Sequence, residues 1–325
     1  MKNNIILFCL FLFARVAGAQ PITVISSDID HFWVAYDQIA LTRDTTEKMA
    51  LFQSLYLQRG SEGLTSLMEA RRYTARQYLE AFEKYPKFWA SIRANTLKAK
   101  EQTPRIEQAI GQLKKWYPAL KPVPVYLAIG VLRTNGTAKD NRVLIGCEMA
   151  ATDETVVFSE LPEYLHYYYT NYTNSFKTID LLCVHEYIHT QQKELAEDLL
   201  SATLYEGIAE FISCKATGIP SNLPALAFGK ANEQRVKEKF ERDMLRPEAF
   251  YEWLWSSRKN EFDTRDLGYY IGYSVAERYF ERAKNKKKAI RELIELDYAN
   301  PKKVASLVDK SGFFKAKLSV LRARK

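Results

Sequence analysis

Apolar residues recur at three- and four-residue spacing over most of this chain, and short continuous apolar runs are confined to its middle. From Thr45 to about Lys100 the repeats are Leu51, Leu55 and Leu57, then Leu64, Leu67 and Met68, then Tyr78, Leu79 and Phe82, the one-face spacing of amphipathic helices. Ahead of them, Ile22 to Val24 has the character of a strand start, and Asp28 to Trp33 opens a helical pattern. Pro86 and Pro104 punctuate the region, and Ile106 to Trp116 reads as one more amphipathic helix before Pro118, Pro122 and Pro124. Residues 20–120 are therefore predicted to be helical.

The pattern changes at Val123. Val125 to Ile129 and Arg142 to Gly146 are short apolar runs separated by the turn signal Asn135-Gly136-Thr137, and they read as paired strands. Leu161 to Tyr172 carries Tyr164, Tyr167, Tyr168, Tyr169 and Tyr172 around His166, an aromatic run read mainly as packing. Helical spacing then continues to the C-terminus, interrupted near Gly218-Ile219-Pro220 and at the charged stretch Lys284 to Lys288. The expectation is an α+β chain with a small sheet and two motif-bearing helices in residues 121–217, followed by a helical region over residues 218–325.

Composition excludes collagen-like, low-complexity and disordered classes: 325 residues are 47% hydrophobic and 26% charged. Lys2, the apolar run Ile5 to Phe13 and Ala17-Gly18-Ala19 predict a secretory signal over residues 1–19, too short to span a bilayer. Cys9 lacks the preceding small residues of a lipoprotein site. The chain is thus expected to be exported, periplasmic or extracellular, with no stable membrane span after cleavage. Its formal charge of +8 is concentrated at one end, where Arg282 to Lys325 holds 14 Lys and Arg against 4 Asp and Glu. No aromatic interleaving or binding motif accompanies that charge, so a solvated basic surface is expected and nucleic acid is not an expected partner. Cys147, Cys183 and Cys214 are odd in number, lack CxxC spacing and read as buried free thiols.

The chemistry concentrates in His185-Glu186-Tyr187-Ile188-His189. Residues four apart share a helix face, so both imidazoles reach one metal ion while Glu186 is turned toward a water in the open coordination position. The chain has only four histidines, and two of them stand in this register. Leu204-Tyr205-Glu206-Gly207-Ile208-Ala209-Glu210 follows, with sixteen residues between His189 and Glu206. Glu206 is read as the third ligand, which leaves one position open as in a catalytic zinc site. Glu210, one turn later, is placed to accept a proton from a ligating imidazole; Glu210 as ligand is the competing assignment. Gly207 is expected to let this helix approach the motif helix closely.

HEYIH followed by LYEGIAEF resembles the gluzincin branch of zinc metallopeptidases. Together with Asp28-Ile29-Asp30, Asn135-Gly136-Thr137-Ala138, Ile145-Gly146-Cys147-Glu148 and Gly268 to Tyr273, the chain is similar to the predicted zinc-dependent proteases of bacteria and to the gliding-motility lipoproteins of Bacteroidetes. It departs from thermolysin in its shorter ligand spacing and in lacking that group's flanking asparagine and aspartate. The resemblance implies a zincin-like fold, a Zn2+ cofactor and hydrolysis of a peptide or protein substrate. It implies Glu186 as general base and a tyrosine from a later helix as oxyanion donor, with Tyr269, Tyr270 and Tyr273 in reach and Tyr269 with Tyr273 favoured. It also implies an edge strand before the motif helix, assigned to Arg142 to Met149. Two other classes fit the same residues: a non-catalytic envelope or binding protein on this scaffold, and a zinc hydrolase of another amide or ester.

Overall fold

The computed structural model describes residues 22–172, 174–255 and 260–318. The expected signal peptide, residues 1–19, lies outside them. Six helices form the first part: α1 (Ser27–Ile39), α2 (Thr45–Phe52), α3 (Glu62–Arg71), α4 (Ala75–Lys84), α5 (Pro86–Ala99) and α6 (Thr103–Trp116). Their starts follow from local chemistry. Asp44, Ser61 and Thr74 each accept a hydrogen bond from the backbone N–H three residues on, and Gln77 returns the bond to Thr74. Inside this layer Phe32, Phe52, Tyr56, Tyr78, Phe82 and Trp89 pack ring against ring, Phe32 to Tyr56 edge-on at 5.3 Å.

The middle holds a mixed four-stranded sheet of β1 (Val24–Ile25), β2 (Val125–Ala128), β3 (Gly136–Lys139) and β4 (Arg142–Gly146), in the order β1-β2-β4-β3. β1, β2 and β4 run parallel, with Val24 opposite Val125 and Val125 opposite Val143, and β3 is antiparallel to β4. Two expectations are corrected. The turn is not at Asn135-Gly136-Thr137, which enters β3, but at Asp140-Asn141, where φ of 50° and 56° gives both residues the left-handed backbone of a tight hairpin. Arg142 to Gly146 is accordingly an interior strand, and the edge is β3. All of β2 is buried, so the sheet is covered on both faces.

The remaining helices are α7 (Cys147–Ala150), α8 (Glu163–Asn171), α9 (Ile179–His189), α10 (Leu199–Thr217), α11 (Pro224–Ala231), α12 (Glu233–Asp243), α13 (Phe250–Trp253), α14 (Leu267–Arg282), α15 (Lys286–Ile294) and α16 (Pro301–Ser311). The fold is therefore α+β and mostly helical. Gly218 ends α10 with φ of 74°, the left-handed backbone that favours glycine. The helical pattern breaks at the start of the charged stretch, as expected: α14 ends at Arg282, and α15 opens at Lys286 behind the Asn285 cap. α10 and α14 meet backbone to backbone: a Cβ on Gly207 would lie 2.2 Å from the Gly272 carbonyl carbon, and one on Gly272 would lie 1.9 Å from the Thr203 oxygen. Gly207 thus serves the approach to α14, where an approach to the motif helix was expected. Cys147, Cys183 and Cys214 are free and buried. Among the described residues, no helix is long and apolar enough to cross a membrane.

Candidate metal centre and cleft

Helix α9 is apolar on nearly every side, and Ile179, Cys183, Val184, Tyr187 and Ile188 are buried, as a helix enclosed by the fold requires. Polar contacts at its two ends fix its position. Asp180 in the first turn takes two hydrogen bonds from Arg105 of α6, Nε to Oδ2 at 2.8 Å and Nη2 to Oδ1 at 2.6 Å. Near the other end the Tyr187 hydroxyl accepts from the Val123 N–H at 2.9 Å and donates to the Lys121 carbonyl at 3.1 Å. Helix α10 starts at the Asp198 cap, which accepts from the Ser201 N–H, and carries Glu206 and Glu210 to the same place.

There His185 Nε2, His189 Nε2 and Glu206 Oε2 form a nearly equilateral triangle. The sides are 3.1 Å between the imidazoles and 3.3 Å from each imidazole to the carboxylate. Ligand atoms about 2.0–2.1 Å from a tetrahedral zinc are separated by about 3.3 Å, so the triangle has the right size. The other ring nitrogens decide its chemistry. The Gln192 amide donates to the Tyr205 carbonyl at 3.0 Å, which turns its oxygen toward His189 Nδ1 at 2.7 Å; that nitrogen must carry the proton. Glu210 Oε2 stands 3.0 Å from His185 Nδ1 and fixes a proton there in the same way. In the neutral form that metal binding requires, the two imidazoles aim lone pairs at each other and at a carboxylate, an arrangement that calls for a cation at its centre. With no metal there, a proton is favoured in its place. Burial opposes a charge on His185, yet Glu206 and Glu210 outweigh it and hold its pKa well above the usual histidine range. Glu206 is also opposed by burial, but His189 and His185 draw it well below the ordinary carboxylate value. Among the described residues these three form the group able to hold a metal ion, and the donor set fits one.

A cleft of about 770 Å³ opens above the triangle, bounded by the edge strand β3 on one side and by α8 and Tyr269 on another. Glu186 lies under β3, so close that a Cβ on Gly136 would stand 2.8 Å from its Oε1. Burial raises the Glu186 pKa, opposed by His189 and His185. Tyr269 also faces the cleft, its ring 6.2 Å from that of His185, and burial followed by the Glu206 charge keeps its phenol protonated. Tyr273 does not face it. One turn further along α14, its ring packs against Phe211 at 5.5 Å, because the Gly272 contact with Thr203 sets the rotation of the helix. Tyr270 turns away and donates to Glu233 at 2.9 Å.

The aromatic run on α8 walls the cleft with Tyr164, Tyr167, Tyr168 and Tyr172, where packing was expected; Tyr169 alone is core. Sequence reasoning also missed Gln192 and Tyr205, whose ring stacks on His189 at 4.4 Å with 7° between the planes. Their signal was available: Gln192 is three residues past the second histidine, and Tyr205 precedes Glu206. No family model, no curated protein and no solved structure matches the chain, so its functional reading rests on the geometry of this cleft.

Proposed function

We propose that the chain is a zinc-dependent peptidase whose metal is held by His185, His189 and Glu206. The observation that carries this reading is the triangle of three lone-pair donors with both imidazole tautomers fixed from behind. When bound, zinc supplies the Lewis acidity that polarises a carbonyl and acidifies water. Glu186, raised by burial and aimed into the cleft, takes the proton of the attacking water and passes it to the leaving amine nitrogen. Tyr269 remains a neutral donor and offers its hydroxyl to the developing oxyanion. The free edge of β3, which lines the cleft, gives an extended peptide a hydrogen-bonding partner. Burial of His185 and Glu186, at 7% and 8% exposure, limits competing bulk water.

The test combines metal analysis with cleavage of a peptide library. Wild type is expected to hold one zinc per chain and to cleave; His189→Ala should lose stoichiometric zinc, and Glu186→Gln should keep zinc while losing turnover. Retained zinc in His189→Ala, or full turnover in Glu186→Gln, refutes the assignment.

A further inference from the structure

Three guanidinium groups line the same cleft: Arg71 at the end of α3, Arg133 in the loop before β3, and Arg265 before α14. None of the three makes an ion pair among the described residues. Each is nevertheless held in place. Arg133 Nη1 donates to the carbonyls of Arg71 and Arg72 at 2.8 and 2.9 Å, closing the left-handed end of α3. Arg265 lies over the Tyr167 ring at 4.2 Å. Arg71 stands at the head of the edge strand, with Nη2 at 3.5 Å from the Gly136 carbonyl, the long limit of a hydrogen bond. Its Nε is shielded from solvent and has no hydrogen-bond partner among the described residues.

An N–H removed from water without an acceptor is destabilising, and here it belongs to a fork whose other arm, Nη2, makes only that long contact. Nε and Nη2 together present the two parallel donors that match a carboxylate. The fork stands beside Gly136, the residue under which Glu186 lies, and the Arg71 charge is felt at Glu186. A group bound to Arg71 therefore sits next to the reacting bond. We propose that Arg71 is a specificity-determining residue that receives a carboxylate of the substrate, which makes carboxylate-bearing peptides the substrate class. Arg133 and Arg265, which have no ion-pair partner among the described residues, supply attraction at the cleft walls. This inference rests on the peptidase reading of the cleft.

The test measures binding apart from turnover. Four labelled hexapeptide pools are titrated into zinc-loaded Glu186→Gln protein: one with a fixed Glu and an amidated C-terminus, its Gln counterpart, one neutral with a free C-terminus, and one neutral and amidated. Carboxylate-bearing pools should bind about 10- to 100-fold more tightly than the neutral amidated pool, the range for a charge-assisted hydrogen bond. Preference for the Glu pool identifies a side-chain carboxylate, and preference for the free terminus identifies the chain end. Adding Arg71→Gln should erase the preference while leaving zinc content unchanged. Arg71→Lys, which keeps the charge and fold but lacks the fork, should retain part of it. Equal binding of all four pools, or an equal loss for all four in Arg71→Gln, overturns the inference. Wild-type cleavage without carboxylate preference leaves the peptidase reading intact and removes this one; carboxylate-selective binding without cleavage does the reverse.

Discussion

Replacing Gly207 by alanine sets two opposing effects against each other. In a helix interior, alanine is favoured over glycine by about 1 kcal/mol through backbone entropy. The added methyl, however, would start 2.2 Å from the Gly272 carbonyl carbon and the Tyr273 nitrogen, and both are backbone atoms that cannot swing aside. Non-bonded carbon atoms rest about 3.5 Å apart or more, so α10 and α14 must separate locally by roughly 1.3 Å. Overpacking of this kind costs about 1–3 kcal/mol, which equals or exceeds the propensity gain. Glu206 precedes Gly207, and its oxygen is 3.3 Å from both imidazole nitrogens. Metal–ligand distances tolerate only about ±0.2 Å, so a displacement several times larger should weaken zinc binding tenfold or more. Chelator competition gives the affinity, and urea unfolding of metal-free protein gives the stability. Gly111→Ala is the control, since nothing lies within 4 Å of a Cβ there; it should gain about 0.5–1 kcal/mol. A Gly207→Ala protein stabilised as much as the control, with unchanged zinc affinity, would refute the reasoning.

Gly136→Ala drives a methyl into the Glu186 carboxylate and should abolish most turnover at full zinc occupancy; a normal rate in a peptide-cleavage assay counts against Glu186 as base. Gln192→Leu removes the acceptor behind His189 and should weaken zinc about 10- to 100-fold, read by competition with a chromogenic chelator; unchanged affinity means that the tautomer is set otherwise. Buried Glu148 accepts the Gly130 and Leu132 N–H groups, and burial lifts its pKa from 4.5 to about 7. The folded chain then holds this proton to higher pH than the unfolded chain, so stability falls as pH rises from about 4.5 to 7, by about 3 kcal/mol for this group. Glu148→Gln should lose that slope in urea unfolding between those limits; identical slopes in both proteins would contradict the buried-acid account.

The helices and the candidate metal-holding trio were legible because their signals are local. Apolar spacing marks a face, and His185, His189 and Glu206 lie on consecutive helices whose turns bring like-facing residues together. Strand pairing was less legible. Asn135-Gly136 looks like a hairpin turn, whereas Asp140-Asn141 forms it, because β3 begins at Gly136 itself and pairs with Arg142 to Ile145, which leaves only Asp140 and Asn141 between the strands. Tyr269 and Tyr273 could not be separated in sequence either. They share a helix face, but the contact between Gly272 and Thr203 decides which ring stands over the triangle of His185, His189 and Glu206. The cleft arginines carried no motif, since Arg71, Arg133 and Arg265 come from three distant segments.

The three described cysteines have a practical consequence. Each thiol is buried, and burial pushes its pKa up. Nucleophilic exchange and oxidation both begin with an accessible thiolate. The folded body therefore has no redox clock: peroxide exposure during storage should leave these sulfurs unchanged, and its melting temperature should be the same in oxidising and in phosphine-reducing buffer. If the proposed zinc is present, dithiol reductants would act through their affinity for it, so activity lost in their presence would report chelation and not disulfide chemistry.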